Sequence, residues 1–325
     1  RQRQMCIRDR CECVNVRKVV IVGCGFVGSA SAFALMQSGL FSEMVLIDVD
    51  KDRAEGEAMD ISHGASFAGP MKIYAGGYED VGDASIIVIT AGANQKPNET
   101  RLDLVQKNAK IMTDVVTQIK EQEYKGILLI VSNPVDIMTQ VAMEVSGFPE
   151  HRVFGSGTVL DSARLRYHLG QHLGVDSRSV HAFVIGEHGD SEIAAWSSAN
   201  VSGVPLNSFC EMRGHFNHEG NTESIEEQVK NSAYEIIAKK DATYYGIAMV
   251  VKRICQAIVR DEKSIFPISL RMHGEYALED VVLSMPAIVG ARGIETTIPI
   301  SLDEKEVSRL HESAEMLRET RKEIR

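Results

Sequence analysis

RKVVIVG (17–23) opens the patterned part of the chain: a β-branched apolar run that stops at a glycine, as a strand buried on both faces does. From Ser29 to Met36 the apolar positions recur at helical spacing, and the pattern stops near Gly39. MVLIDVD (44–50), ASIIVITAG (84–92) and GILLIVSNP (126–134) repeat the strand pattern, with a helical stretch over 103–122 between the last two. Strand and helix alternating in this way predict βαβ units around a parallel sheet. Beyond Gly155 the rhythm changes. A helix is predicted over roughly 158–173, a strand over VHAFVIG (180–186), and a long helical stretch from about Ser224 to Arg260 with a break near Asp241. Three strand-like runs near 266–271, 280–289 and 294–300, parted by His273-Gly274 and Arg292-Gly293, suit an antiparallel meander. The last segment sets Val307, Leu310, Ala314 and Leu317 on one helical face. The fold class is therefore α/β: a doubly wound parallel-sheet domain over 16–154, then a mixed α/β domain over 155–325.

Composition narrows the function classes. The 325 residues, 44% hydrophobic and 25% charged, suit a soluble two-domain protein. There is no apolar run of about 18 residues to span a membrane. A net charge of −10 argues against nucleic acid as a partner, and a site for an anionic ligand must gather its cations locally. Cysteines stand at 6, 11, 13, 24, 210 and 255. Cys11-Glu-Cys13 has no second pair to complete a zinc site, so no metal is expected, and the thiols read as reduced and cytoplasmic. Residues 1–15 carry neither a signal-peptide core nor a period and read as a disordered or non-native extension.

Gly23-Cys24-Gly25-Phe26-Val27-Gly28 follows the first strand and opens the first helix, the context that gives G-x-G-x-x-G its meaning as a dinucleotide fingerprint. The first glycine permits the turn, the second admits a pyrophosphate, and the third lets helix pack on strand. Asp48, twenty residues past Gly28, ends the next strand. There a carboxylate accepts ribose hydroxyls and repels a 2′-phosphate, favouring NAD over NADP. Gly92, Ala93, Ser132 and Asn133 follow two further strands, where a Rossmann sheet binds its ligand. The Asn133-Pro134 bond is open to either isomer.

The candidate chemistry lies in three stretches. GEHGD (186–190) sets His188 in a polar, glycine-flanked turn after an apolar strand. An imidazole there can give and take a proton near neutrality. VLDSAR places Asp161 and Arg164 three apart on one helical face. Asp161 is the candidate orienting partner of His188, and Arg164 a fork for a carboxylate. TAGANQKPNETR adds Gln95 and Arg101 in a segment punctuated by glycine and proline, which reads as a mobile loop.

From about Arg17 to the C-terminus these stretches resemble the lactate/malate dehydrogenase family, and within it the bacterial allosteric L-lactate dehydrogenases. The resemblance implies hydride transfer between NADH and pyruvate, with His188 as proton donor and acceptor. Arg164 would grip the substrate carboxylate, and Arg101, on a closing loop, would polarise the carbonyl. Asn133 would contact substrate near the nicotinamide ribose, Thr243 would line the substrate's small pocket, and Ile247 would lie beneath the nicotinamide. Tyr78 would line the adenine side. Malate dehydrogenases carry an arginine where Gln95 stands, to pair a second carboxylate; left unpaired on burial, that carboxylate would cost several kcal/mol. The resemblance thus implies L-lactate dehydrogenase, with a malate or broader L-2-hydroxyacid dehydrogenase as the alternative. It also implies a homotetramer activated by fructose 1,6-bisphosphate, bound by Arg166 and His181 across a two-fold interface. Arg166 should then point outward, and His181 should begin the strand that leads to His188. Two rivals find no support: a metal-dependent NAD-using glycosidase would need a cysteine beside Asn133, and a non-catalytic derivative would be expected to have lost one of Arg101, Asp161, Arg164 and His188.

Overall fold

Residues 15–93 and 100–324 are described in the computed structural model, with only the backbone at Val16 and Arg101. Gln95 and almost all of the expected N-terminal extension lie outside the described residues. The chain alternates as the apolar runs predict: β1 (Asn15–Val22), α1 (Phe26–Ser38), β2 (Glu43–Ile47), α2 (Lys51–Gly64), β3 (Lys72–Ala75), β4 (Ala84–Ile89), α3 (Arg101–Glu121), β5 (Ile127–Ile130), α4 (Val135–Ser146) and β6 (Val153–Gly155). These six strands pair in parallel in the order β6-β5-β4-β1-β2-β3. The direction of winding reverses between β4 and β1, and a crevice opens at their carboxyl ends. Val19, Ile21, Ile86, Val88, Leu128 and Ile130 are fully buried, as strands covered on both faces must be.

The second half begins with α5 (Val159–Leu173) and a group of short strands, β7 (Val180–His181), β8 (Val184–Ile185), β9 (Ile193–Ala194), β10 (Asn200–Val201) and β11 (Val204–Pro205). Three helices follow, α6 (Leu206–Met212), α7 (His218–Lys240) and α8 (Tyr245–Arg260). The meander β12 (Ser264–His273), β13 (Glu279–Gly290), β14 (Gly293–Thr297) and a last helix, α9 (Glu304–Lys322), complete the chain. The meander joins the parallel sheet through the single pair Ser269–Gly155, giving nine strands in all. Leu310, Ala314 and Leu317 of α9 are buried and Val307 half-buried, on the face that the periodicity picked out. Among the described residues no helix is long and apolar enough to cross a membrane.

The helical stretch from about 224 to 260 is broken at Asp241, as the sequence predicts: Asp241 takes a left-handed φ of 67° and ends α7. One sequence expectation is corrected. The expected strand 180–186 is interrupted: β7 pairs with β10, whereas β8 pairs with β9. Side chains of α5 take over the backbone of Val184: its N–H donates to Ser162 Oγ at 2.8 Å, and its carbonyl accepts from Thr158 Oγ1 at 2.5 Å. Apolar alternation cannot register such a substitution of side chain for ladder. His181 therefore leads to His188 through two separate strands, not one.

Candidate active site

The glycine loop crosses the switch point. Gly23 has φ 102°, and a Cβ there would lie 2.6 Å from the Ala91 nitrogen, so the β1 turn closes directly on the end of β4. At Gly25, by contrast, a Cβ would meet nothing within 4 Å. Gly25 caps α1 without a side-chain bond, and no acid stands in that helix's first turn. Unpaired N–H groups facing open space suit a pyrophosphate. Gly28 packs under the loop, and Val27 is half-buried beside it. Asp48, at the end of β2, accepts from the Cys24 N–H at 2.6 Å and from the Asp50 N–H at 2.9 Å. It is half-buried and holds the loop in place.

Two neighbouring strand ends complete this edge. Ser132 Oγ donates to the Ala91 carbonyl at 2.6 Å. Asn108, a buried amide on an otherwise apolar face of α3, accepts from the Ala93 N–H at 2.8 Å and donates to the Asn133 carbonyl at 2.9 Å. The backbone beyond β4 and that beyond β5 are thereby tied together, with Gly92 and the Asn133 side chain exposed. Sequence reasoning missed Asn108; its signal was a polar residue on the buried stripe of Val105, Ala109 and Met112. The Asn133-Pro134 bond is cis. Tyr78 is half-buried near Asp48 and Asp114, and burial, with those carboxylates, raises its hydroxyl to about 12.

The candidate proton-transfer group, His188, belongs to the second half of the chain. His188 sits in the turn between β8 and β9, and its Nδ1 bonds Asp161 Oδ2 at 2.6 Å. Arg164 Nη1 donates to the other oxygen, Asp161 Oδ1, at 2.9 Å. Asp161 is 3% exposed and Arg164 13%, whereas the His188 ring keeps 26% of its surface open. Burial alone would favour the neutral imidazole, but the charge and hydrogen bond of Asp161, with Asp136 and Glu192, overturn it and raise His188 to about 9. Burial likewise works against an ionised Asp161, yet His188 and Arg164 hold its carboxyl below the ordinary range.

Backbone contacts aim the ring. The His188 N–H donates to Asp136 Oδ2 at 2.7 Å, and Asp136 Oδ1 accepts from Ser269 Oγ at 2.6 Å. Asp136 is 1% exposed, and burial raises its carboxyl to about 6 despite these donors. Gly186 has φ 85°, and a Cβ there would press on Ile193 and Ser313. Ser313 of α9 accepts the Glu187 N–H at 2.9 Å, fixing the other side of the turn. None of these supports was singled out from sequence; Asp136 stood out only as an acid among Val135, Ile137 and Met138.

Ligand atoms of Asp161, His188 and Glu192 lie within 4.8 Å of one another, but the Arg164 guanidinium already occupies Asp161. A bound metal ion would compete with it. Thr243 lies half-buried in the turn between α7 and α8, and Ile247 packs against the core from the first turns of α8. Arg166 is half-buried rather than pointing freely outward, its Nε donating to the Ser162 carbonyl at 3.1 Å. His181 is exposed. Arg101 begins α3, the helix capped by Thr100 and Asp103. Gln95 belongs to the segment outside the described residues.

Two family models match the chain: the lactate/malate dehydrogenase NAD-binding domain over residues 17–155, and the lactate/malate dehydrogenase alpha/beta C-terminal domain over 158–325. The chain is 49% identical to an L-lactate dehydrogenase of Acetivibrio thermocellus, covering 94% of this chain and 96% of that one. It is also 49% identical to an L-lactate dehydrogenase of Priestia megaterium, over the same shares. Among solved structures, the ligands-bound minor L-lactate dehydrogenase of Enterococcus mundtii superposes with a TM-score of 0.92 at 43% identity, covering 95% of this chain and 98% of that one. MGS-M5, a lactate dehydrogenase from a deep-sea metagenome library, gives 0.92 at 47%, covering 94% and 98%. With both family models matched end to end across the sheet and the His188 turn, the chain belongs to the lactate/malate dehydrogenase family of NAD-dependent oxidoreductases.

Proposed function

We propose that the protein interconverts pyruvate and L-lactate with NAD as the hydride carrier. The observation that carries this reading is the unbroken line Arg164–Asp161–His188, in which one buried carboxylate serves both a guanidinium and an imidazole. Gly23, Gly25, Val27, Gly28, Asp48, Tyr78, Gly92, Ala93, Ser132 and Asn133 would hold the dinucleotide, which would supply or accept the hydride at the substrate's C2. Asp161 holds the proton of His188 Nδ1, which leaves Nε2 as the atom that gives a proton to the carbonyl oxygen and takes it back in lactate oxidation. Arg164 keeps further N–H donors beyond the one given to Asp161, and these suit a carboxylate fork. Asn133 and Thr243 flank the substrate. Arg101 polarises the carbonyl from α3, a contribution on the order of 3 kcal/mol for such a donor. Gln95 supplies no charge for a second carboxylate, which favours pyruvate over oxaloacetate.

In the same reading residues 16–154 bind the cofactor and 155–325 the substrate, in accord with the family matches. The enzyme is a cytoplasmic homotetramer; that the described cysteines, Cys24, Cys210 and Cys255, are all free thiols supports the compartment. Arg166 and His181 bind fructose 1,6-bisphosphate. The support is a short path: Arg166 bonds the carbonyl of Ser162, which neighbours Asp161 and whose hydroxyl holds Val184, four residues before His188. Consumption of NADH on adding pyruvate, with L-lactate as the product, tests the reaction; no consumption would reject it. Pyruvate saturation curves at pH 6 and pH 8 test the regulation. Fructose 1,6-bisphosphate should lower KM at pH 6 and do less at pH 8. Superimposable curves with and without it would remove the regulatory site and leave the reaction standing.

A further inference from the structure

Glu192 has entered so far only as one of the acids that raise His188, yet it is the third group of the site. It closes the turn that carries His188: its N–H donates to the Gly189 carbonyl at 3.2 Å, and β9 begins at the next residue. Its carbonyl accepts from Arg309 of α9 at 3.3 Å. The residue is 4% exposed, and a carboxyl oxygen lies within 4.8 Å of both Asp161 and His188. Among the described residues no ion pair is made by this carboxyl.

The charged groups around it explain that isolation. From α5 it faces Asp161 and Arg164, and these are already bonded to each other. From α7 comes Lys230, which pairs with Glu226 at 3.3 Å. Arg309 of α9 also turns its guanidinium to Glu226. Asp136 of α4 and Glu187 of the turn add only further acid near His188. Every neighbouring cation, the His188 imidazolium included, is thus engaged by another carboxylate.

We propose that Glu192 is a positioning residue of the reaction, its carboxyl group setting how firmly Arg164 holds an anionic 2-oxo acid and how firmly His188 holds its proton. The proposal rests on the reading of the site given above. Burial first, and then the charge of Asp161, raise the Glu192 carboxyl to about 8, so at neutral pH it is the uncharged acid. In that form Asp161 is the anion beside Arg164 and the protonated His188 ring, with Asp136, raised only to about 6, a further anion at the His188 backbone. Above pH 8 a second anion appears beside Arg164. It opposes entry of the substrate carboxylate and favours retention of the His188 proton, so the affinity for pyruvate falls before proton transfer fails.

The pH profile of pyruvate reduction tests this with the wild type, Glu192→Gln and Glu192→Asp. Log(kcat/KM) of the wild type should fall in two stages: first near pH 8 by a rise in KM of about tenfold, then near pH 9 with His188. Glu192→Gln should show a single stage, displaced to lower pH because His188 has lost a neighbouring anion, and Glu192→Asp should restore the first stage. Infrared titration of the wild type gives an answer independent of turnover. A protonated carboxyl band should persist at pH 7 and vanish through pH 8, above the titration of Asp136 near 6. A Glu192→Gln profile superimposable on the wild type, or no protonated carboxyl at pH 7, would overturn the proposal. Absence of any turnover of pyruvate by the wild type would instead strike the functional reading, while the infrared titration still decided the state of Glu192.

Discussion

Replacing Asp161 by Asn keeps the shape of the site and removes the one charge on which His188 depends. The His188 imidazolium persists to about 9 against 6.5 for an unperturbed ring, a difference worth roughly 3 kcal/mol. Burial works in the opposite direction, so the carboxylates together supply more than this net figure, and Asp161 is the leading contributor. Without it the His188 midpoint should fall to about 6.5 or below. At pH 7.5 the protonated fraction would then drop from nearly complete to roughly a tenth. An Asn amide can also donate to Nδ1, which moves the ring proton to Nε2 and leaves a neutral, poorer acid. The two effects should lower kcat/KM for pyruvate by about 10²–10³ at pH 7.5. The assay is pyruvate reduction followed from pH 5 to pH 10. The variant's activity should decline from about pH 6.5, where the wild type holds until pH 8–9. A lower plateau whose limb stays at the wild-type pH would refute the reasoning, because His188 would then take its proton affinity from elsewhere.

Further outcomes follow from the same geometry. Asp48→Ala should lower discrimination against NADPH by about tenfold, since a carboxylate that repels a 2′-phosphate is gone; equal cofactor ratios in variant and wild type would show that Asp48 only holds the Cys24 N–H. Asp136→Ala strands the His188 N–H and Ser269 in a buried site, and should destabilise the fold by about 3 kcal/mol. Urea unfolding is the check, and a loss below about 1 kcal/mol would show that the turn is held without it. Gln95→Arg should shift the kcat/KM ratio toward oxaloacetate by at least about tenfold; an unchanged ratio would mean that Gln95 does not reach the substrate's tail.

What could be read from the chain was whatever repeats or punctuates. The apolar runs located β1, β2, β4 and β5, and the fingerprint with Asp48 located the loop between β1 and α1. The pairing of Asp161 with His188 across 27 residues was legible only because the resemblance joined two motifs; spacing alone could not have brought them to 2.6 Å. The residues that hold the site in register were not legible. Asp136, Asn108 and Ser313 act by hydrogen bonds to groups distant in sequence, and such bonds leave no period. Nor was Glu192 distinguishable from a surface acid, since its character comes from neighbours on α5, α7 and α9. The break between β7 and β8 escaped for a related reason: Thr158 and Ser162 replace ladder partners there, while the apolar pattern runs on unbroken.

The central claim is that this family member, which carries Gln95 and for which Arg164 and Arg101 are proposed as the anion sites, chooses pyruvate over oxaloacetate. NADH oxidation with pyruvate and with oxaloacetate, measured side by side at pH 7 on the same preparation, tests it most directly. Pyruvate should give the higher kcat/KM, by about tenfold or more, and the product should be L-lactate. A higher kcat/KM for oxaloacetate would contradict the account and make the protein a malate dehydrogenase.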